Sequence, residues 1–295
     1  ADYSGCGHWR MIWPEHILNA HQKAVIHGTT MMVLDERYYD NTHSVRVQRQ
    51  ATGHQLELIK ALKQISEKKG FRLIYEIDDI VFHEDIPEYN KFKPAFVDPE
   101  IRQSAMEIMN ICDEITVTCK FMQEYYRSKT SNQNITVIPN YPPKWWIGKY
   151  YNADNIVKNY RKTRKRPRVV YAASGAHFDV ENKVNQRDDF FHVTEAIAKT
   201  VDQFQWVFLG AFPLPLTHLV REGKIEFHDW KRLYEYPQLL HDVNPTVLIA
   251  PLQDNTFNRA KSDLKYIEAC CLGVPIICQD MCTYENAPFK FNTGP

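Results

Sequence analysis

Lys261, Lys265 and Glu268 are spaced so that a helix would line them along one face, two cations near its start and a carboxylate a turn deeper. They belong to PLQDNTFNRAKSDLKYIEACCLGVP (251–275), in which an apolar strand runs through a polar loop into a helix that Ser262 is suited to cap. Asn258, Arg259, Lys261 and Ser262 crowd the expected helix start. There, unpaired N–H groups and the positive end of the helix dipole favour an anion. Such a face suits a nucleotide, the lysines taking phosphates and the carboxylate taking ribose hydroxyls. The same spacing also describes a solvated face with a Lys–Glu pair three residues apart.

Other segments put reactive groups at strand ends. In VVYAASGAHFD (169–179) the small residues Ser174 and Gly175 would let backbone N–H groups approach an oxyanion, or would simply make a tight turn. His177 and Asp179 follow, placed either to reach a sugar or to cap that turn. RVQRQ (46–50), with Arg49, and YEIDDIVF (75–82) carry polar groups at the carboxyl ends of apolar runs, where open α/β sheets form their ligand crevice. Asp78 and Asp79 are the acid–base candidates, able to orient or deprotonate an acceptor hydroxyl, with a cap or turn as the alternative. SGCGHWR (4–10) holds only two glycines, Gly5 and Gly7, so it does not complete a dinucleotide fingerprint and gives no indication of NAD. Lys144, Trp145 and Trp146, with Arg164 and Arg166 in KNYRKTRKRPR (158–168), form a basic and aromatic stretch. It could track phosphates and help to hold an extruded base, or serve as a solvated linker.

These groups need a scaffold, and the hydrophobic pattern supplies one. Short β-branched runs alternate with amphipathic stretches, as in parallel strand–helix–strand units. Strands are expected at 31–34, 45–48, 72–77, 114–118 and 135–138, with helices at 15–22, 54–68, 100–110 and 120–128. A second series has strands at 168–171, 206–209, 225–227, 247–250 and 275–277, with helices at 188–201, 233–241 and 262–272. The 295 residues exceed one ordinary core and suit two domains of about 150. Two doubly wound α/β domains facing a central cleft are therefore expected, at 1–150 and 168–295, joined by a basic linker at 151–167. The chain opens in a Gly-rich segment and stops soon after its last expected strand, so both ends are expected to be trimmed from a longer polypeptide.

Composition narrows the classes. Lys plus Arg equals Asp plus Glu at 36 each, which argues against nucleic-acid binding by net charge alone. No run approaches the roughly 20 apolar residues of a membrane helix, and no signal region opens the chain. The seven cysteines are odd in number and contain no CxxC pair, which fits reduced thiols in a cytoplasmic protein better than zinc or disulfides.

KSDLKYIEACCLGVPII resembles the donor-binding helix of GT-B glycosyltransferases, particularly family 4-like ones, in which a carboxylate at the position of Glu268 binds ribose and a Gly-x-Pro ending matches Gly273 and Pro275. Many family 4 enzymes carry a second glutamate eight residues earlier, where this chain has Ala260. The resemblance implies that SGCGHWR is a loop facing the cleft, with Arg10 near the donor diphosphate, and that IEFHDW (225–230) brings His228 or Trp230 to the base. It implies a UDP-sugar donor, retention of configuration and no required metal. SGCGHWR, RVQRQ, YEIDD, GAHFD and NRAKSDLKYIE together look like phage-encoded transferases that glycosylate hydroxymethylcytosine in double-stranded DNA, acting in the host cytoplasm. Arg49, Lys144, Trp145, Arg164 and Arg166 are then the acceptor-side residues. Rival readings are a transferase of surface polysaccharide or lipid-linked sugar, and a catalytically silent binding module of the same fold.

Overall fold

The computed structural model describes residues 5–151, 166–185 and 187–292. The chain divides into two compact units. One comprises Ala1–Ile86, Pro94–Tyr141 and Ala260–Ser262; the other comprises Pro87–Lys93, Pro142–Arg259 and Asp263–Pro295. Two short segments thus belong to the unit opposite the one their sequence position suggests.

The first unit holds a sheet of four parallel strands in the order β1 (Ser44–Gln48), β2 (Arg72–Glu76), β3 (Glu114–Val117) and β4 (Ile135–Val137). Local chemistry sets its helices. Thr52 and Gln55 form a reciprocal capping box at the start of Gly53–Lys69, and Gly70 closes that helix in the left-handed conformation. The helix then buries Leu56, Ile59 and Leu62. Asp98 caps Pro99–Ile111 by accepting from Glu100 N–H, with proline in the first turn, where its missing donor costs nothing.

Two expectations fail in this unit. The apolar run at 31–34 is not a strand: Met31 is 76% exposed, the preceding Thr29 side chain bonds Met31 in a local turn, and the Tyr39 hydroxyl takes the Val33 carbonyl. The segment at 5–12 is not a loop, because it is helical through a π turn at His8–Ile12 that leads into the helix Trp13–Ala20. That turn buries Trp9 and Arg10. The Arg10 guanidinium donates to Glu76 Oε1 at 2.6 Å, to the Ile138 carbonyl and to Asn140 Oδ1 at 3.0 Å, while Thr116 Oγ1 donates to the other Glu76 oxygen. Arg10 is therefore a buried structural cation that joins the ends of β2 and β4, and this corrects its expected place at the donor diphosphate.

The second unit holds six parallel strands in the order β10-β9-β8-β5-β6-β7. Here β5 is Arg168–Ala172, β6 Gln205–Gly210, β7 Ile225–Asp229, β8 Val247–Ala250, β9 Ile276–Gln279 and β10 Phe289–Phe291. Successive strands extend one way from β5 and the other way from β8, so the sheet changes winding direction between those two neighbours. An aromatic cluster lies against this sheet, with Tyr171 4.5 Å from Phe190 and Phe178 and Phe208 also around it. The strand β10 was not expected, and it pairs with β9 through Phe289–Phe291.

The helix expected at 188–201 forms only over Thr194–Thr200. Asp188 accepts from the N–H groups of Asp179 and Phe190, and Asp189 is taken by long-range partners, so this stretch is committed to turns.

Glu76→Ala should destabilise the protein by roughly 3–5 kcal/mol, because it leaves the Arg10 charge buried without its partner. Urea denaturation checks this, and a loss below about 1 kcal/mol would show that Glu76 does not hold Arg10.

Candidate functional site

In the second unit, the carboxyl ends of β5 and β8 flank the change of winding, the place where open α/β sheets bind ligands. The turn after β5 carries Ser174, whose hydroxyl accepts from Ala176 N–H at 3.3 Å, then the buried Gly175 and His177. His177 Nδ1 meets Asp189 Oδ2 at 2.7 Å. The other Asp189 oxygen accepts from the Tyr89 hydroxyl at 2.7 Å, from Gln253 N–H at 2.9 Å and from Asn258 Nδ2 at 2.7 Å. Burial pushes the Asp189 carboxyl up, but His177, the Gln253 N–H and the Tyr89 hydroxyl outweigh it and hold the group below the usual range. Asp189 is thus an acceptor for the imidazole, which places the proton on His177 Nδ1. Asp179 is turned elsewhere: it is buried and accepts from the N–H groups of Lys183 and Val184, a turn role and not a sugar contact.

The helix Leu264–Leu272 brings two of the expected residues to the same region. Lys265 Nζ lies 5.1 Å from the centre of the Tyr171 ring, whose edge also meets His177. Glu268 accepts from the Tyr236 hydroxyl at 2.8 Å. Burial pushes the Glu268 carboxyl up to about 7, against the lowering by the Lys265 charge and the Tyr236 hydrogen bond. The group keeps some exposure to solvent. One neutral donor leaves most of its acceptor capacity open to a ligand's hydroxyls.

The start of this helix differs from expectation. It begins at Leu264, with Asp263 at the N-cap position and no side-chain cap. Ser262 belongs to the first unit, where its hydroxyl accepts from Asn140 Nδ2 at 3.0 Å, so it is not the cap. Lys261 also belongs to the first unit, where its charge acts on Asp79. Arg259 ends a separate short helix, Thr256–Arg259, and makes a two-bond ion pair with Asp254 at 2.5 and 2.8 Å.

On the β7 side, His228 Nε2 meets Glu226 Oε1 at 2.7 Å, and Arg168 donates to the same oxygen. Trp230 is 63% exposed, so it is not a packed core residue. Gly210 ends β6 at φ 93°, and a Cβ there would stand 2.6 Å from the Ala173 carbonyl oxygen and 3.1 Å from the Trp230 ring. A glycine at this position lets the turn after β5 and Trp230 approach the β6 end.

The first unit gathers Cys6, Arg49, Asp78 and Asp79 at the carboxyl edge of its sheet. Arg49, at φ 48°, has Nη1 3.7 Å from Asp78 Oδ1 and 3.6 Å from Cys6 Sγ. Burial, with Asp78 next in weight, pushes the Cys6 thiol far up, so it is no nucleophile at neutral pH. Gly5 and Gly7 form the helical turn beside it, with open space where a Gly5 side chain would be. Asp79 accepts from Ile80 N–H at 3.0 Å, and burial raises its carboxyl against the Lys261 charge. Among the described residues, no group of three or more His, Cys, Asp or Glu could hold a metal ion.

Of the basic and aromatic residues, Lys144 and Trp145 lie on the exposed side of the helix Lys144–Tyr150, with Trp145 stacked on the buried Trp146. Arg164 lies outside the described residues. Arg166 donates to the Val201 carbonyl at 2.6 Å and to Gln205 Oε1 at 2.8 Å. Gln205 opens β6, so Arg166 sits at the amino end of the sheet, opposite the crevice, which corrects its expected acceptor role. Tyr89, Asp189, Gly210 and Tyr236 are site residues that the sequence pattern did not mark. Only Gly210, a glycine closing an apolar run, left a local signal.

No protein-family model matches the sequence, and no curated protein matches it. Solved structures do. HepE from Anabaena, in complex with UDP, matches with a TM-score of 0.55 and 12% identity over 87% of this chain and 66% of its own. Sucrose-phosphate synthase from Thermosynechococcus elongatus matches at 0.55 and 14% over 85% of this chain and 60% of its own. A glycosyltransferase from Rickettsia africae matches at 0.52 and 10% over 94% of this chain and 73% of its own. The chain spans slightly less than two thirds of the length of the first two. At these identities the likeness is one of fold: the chain shares the Rossmann-like GT-B fold of these structures.

Gly210→Ala should lower stability by about 1–3 kcal/mol, since it combines an unfavourable positive φ with a clash against the Ala173 carbonyl. A thermal melt indistinguishable from the parent would contradict this geometry.

Proposed function

We propose that this protein is a glycosyltransferase that moves a sugar from a UDP-sugar to an acceptor hydroxyl. The observation that carries the reading is the pairing of Lys265 with Glu268 on one helix at the winding change, beside the turn that holds Ser174, Gly175 and His177. A cation near the phosphates and a carboxylate for a vicinal diol are what a ribonucleotide asks of such a crevice. The fold neighbour HepE, crystallised with UDP and with UDP-glucose, supports the choice of nucleotide.

In this reading Glu268, oriented by Tyr236, accepts from the ribose hydroxyls, while Trp230, with His228, meets the uracil. Lys265, the turn at Ser174–Gly175 and His177 hold the diphosphate. Arg259 would have to exchange Asp254 for a phosphate to join them. As the anomeric C–O bond breaks, negative charge grows on the departing UDP, and cations fixed in advance stabilise it. The acceptor oxygen forms the new bond on the same face of the sugar and its proton passes to the leaving diphosphate, which gives retention, as in family 4-like enzymes. No metal is needed for this. Asp79, raised by burial, is the first unit's candidate for contact with the acceptor hydroxyl, with Asp78 beside it. The acceptor we favour is the hydroxymethyl group of a modified base in phage DNA. The exposed Lys144 and Trp145 suit a phosphate and a base face, and the helix Lys144–Tyr150 has no acidic residue.

Glu268 makes donor binding depend on pH. Burial pushes its carboxyl up to about 7, and the ionised form is the one that accepts from two hydroxyls. Affinity for UDP-glucose, whose diphosphate diester has no protonation step near neutrality, should therefore rise from pH 6 to pH 8. Glu268→Gln should bind more weakly and without that rise, as read by calorimetry at the two pH values. Equal wild-type affinity at both would remove Glu268 from the ribose site.

Labelled UDP-sugars incubated with hydroxymethylcytosine DNA, plain DNA and glycan acceptors should label the modified DNA alone. Label on glycans instead would replace the DNA acceptor, and absence of UDP release from every donor would end the enzyme reading.

A further inference from the structure

The segment Pro87–Lys93 belongs to the second unit although its neighbours in sequence belong to the first. Its anchor is Tyr89, 5% exposed, whose hydroxyl donates to Asp189 and accepts from Asn258 Nδ2 at 2.9 Å and Asn255 Nδ2 at 3.3 Å. The buried Asn90 shapes the rest: its N–H bonds the Pro87 carbonyl, its side chain accepts from Phe92 N–H and its carbonyl accepts from Lys93 N–H. The segment is thus a tied strap, held by the same carboxylate that orients His177.

Between these fixed points the strap presents Lys91. A Cβ built on Gly175 would stand 3.3 Å from Lys91 Nζ and 3.5 Å from its Cδ and Cε, so the end of the lysine lies on the bare face of that glycine. Lys93, two residues on, is neutralised by Glu88 at 2.6 Å. Among the described residues Lys91 has no carboxylate partner, and its Nζ lies over the Phe92 ring, 5.1 Å from the centre. A tied strap that sets an unneutralised ammonium on the turn after β5, with Lys265 against Tyr171 of the same strand, leaves a place for an anion.

We infer that Lys91 is a further ligand of the donor diphosphate, supplied by the strap and not by the second unit's own sheet loops; this rests on the nucleotide-sugar reading above. Gly175 is then needed because a side chain would displace the ammonium from the phosphate position. The strap meets the turn after β5 at two points, since Tyr89 bonds Asp189, the partner of His177, while Lys91 lies against Gly175.

Calorimetry on the full chain tests this, with UDP, uridine and inorganic diphosphate as probes. Lys91→Ala should lower UDP affinity about tenfold or more, flatten its dependence on salt, leave uridine affinity unchanged and keep the parent's melting temperature. Lys91→Arg should recover UDP affinity to within about threefold. UDP and diphosphate affinities within about twofold of wild type in Lys91→Ala would overturn the inference, as would an equal loss for uridine. If wild type binds UDP regardless of Lys91, the inference fails and the nucleotide reading stands. If it binds diphosphate through Lys91 but not UDP, the anion site stands and the nucleotide reading fails. Binding of neither probe ends both.

Discussion

A buried, ionised Asp189 is the constraint on which the second unit's crevice depends. Its two oxygens receive His177, Tyr89, Gln253 N–H and Asn258, which come from the turn after β5, the strap at Pro87–Lys93, the loop after β8 and the short helix Thr256–Arg259. Withdrawing a carboxylate from water is costly, and only a full set of donors offsets it. The four segments must therefore meet at one point for the charge to be tolerated, and that point lies where the sheet changes winding. A requirement for satisfied hydrogen bonds becomes the geometry of a site.

Glu268 shows the opposite balance. It too is deeply placed, yet among the described residues only the Tyr236 hydroxyl donates to it and Lys265 acts from a distance, so burial prevails and the carboxyl rises to about 7. One carboxylate is saturated and structural; the other is undersatisfied and free to accept from a ligand. In the first unit Glu76 follows the pattern of Asp189, consumed by Arg10 and Thr116. Its neighbours Asp78 and Asp79 have fewer donors among the described residues.

Much of the scaffold was legible because parallel strands buried on both faces read as short apolar runs, and because caps such as Thr52 with Gln55 and Asp98 with Pro99 announce helix starts locally. The run at 31–34 misled because it has a strand's composition but, among the described residues, no partner strand, which no local pattern can reveal. Arg10 misled for a related reason. Beside two glycines it looks like a ligand for phosphate, yet its partner Glu76 is 66 residues away. Ser262 has the right residue type for a cap, but its hydroxyl is spent on Asn140, 122 residues away.

The sequence alone determined the two α/β series, most of their strands and helices and the Lys265–Glu268 pair, since each depends on spacing within one element and on side-chain chemistry that a helix or strand repeats. Only the tertiary structure decided which polar groups are spent on one another and which stay open. Asp189, Tyr89, Tyr236 and Arg166 acquire their roles from partners tens of residues away, and the cost of burying an unpaired polar group is settled between such partners and not along the chain.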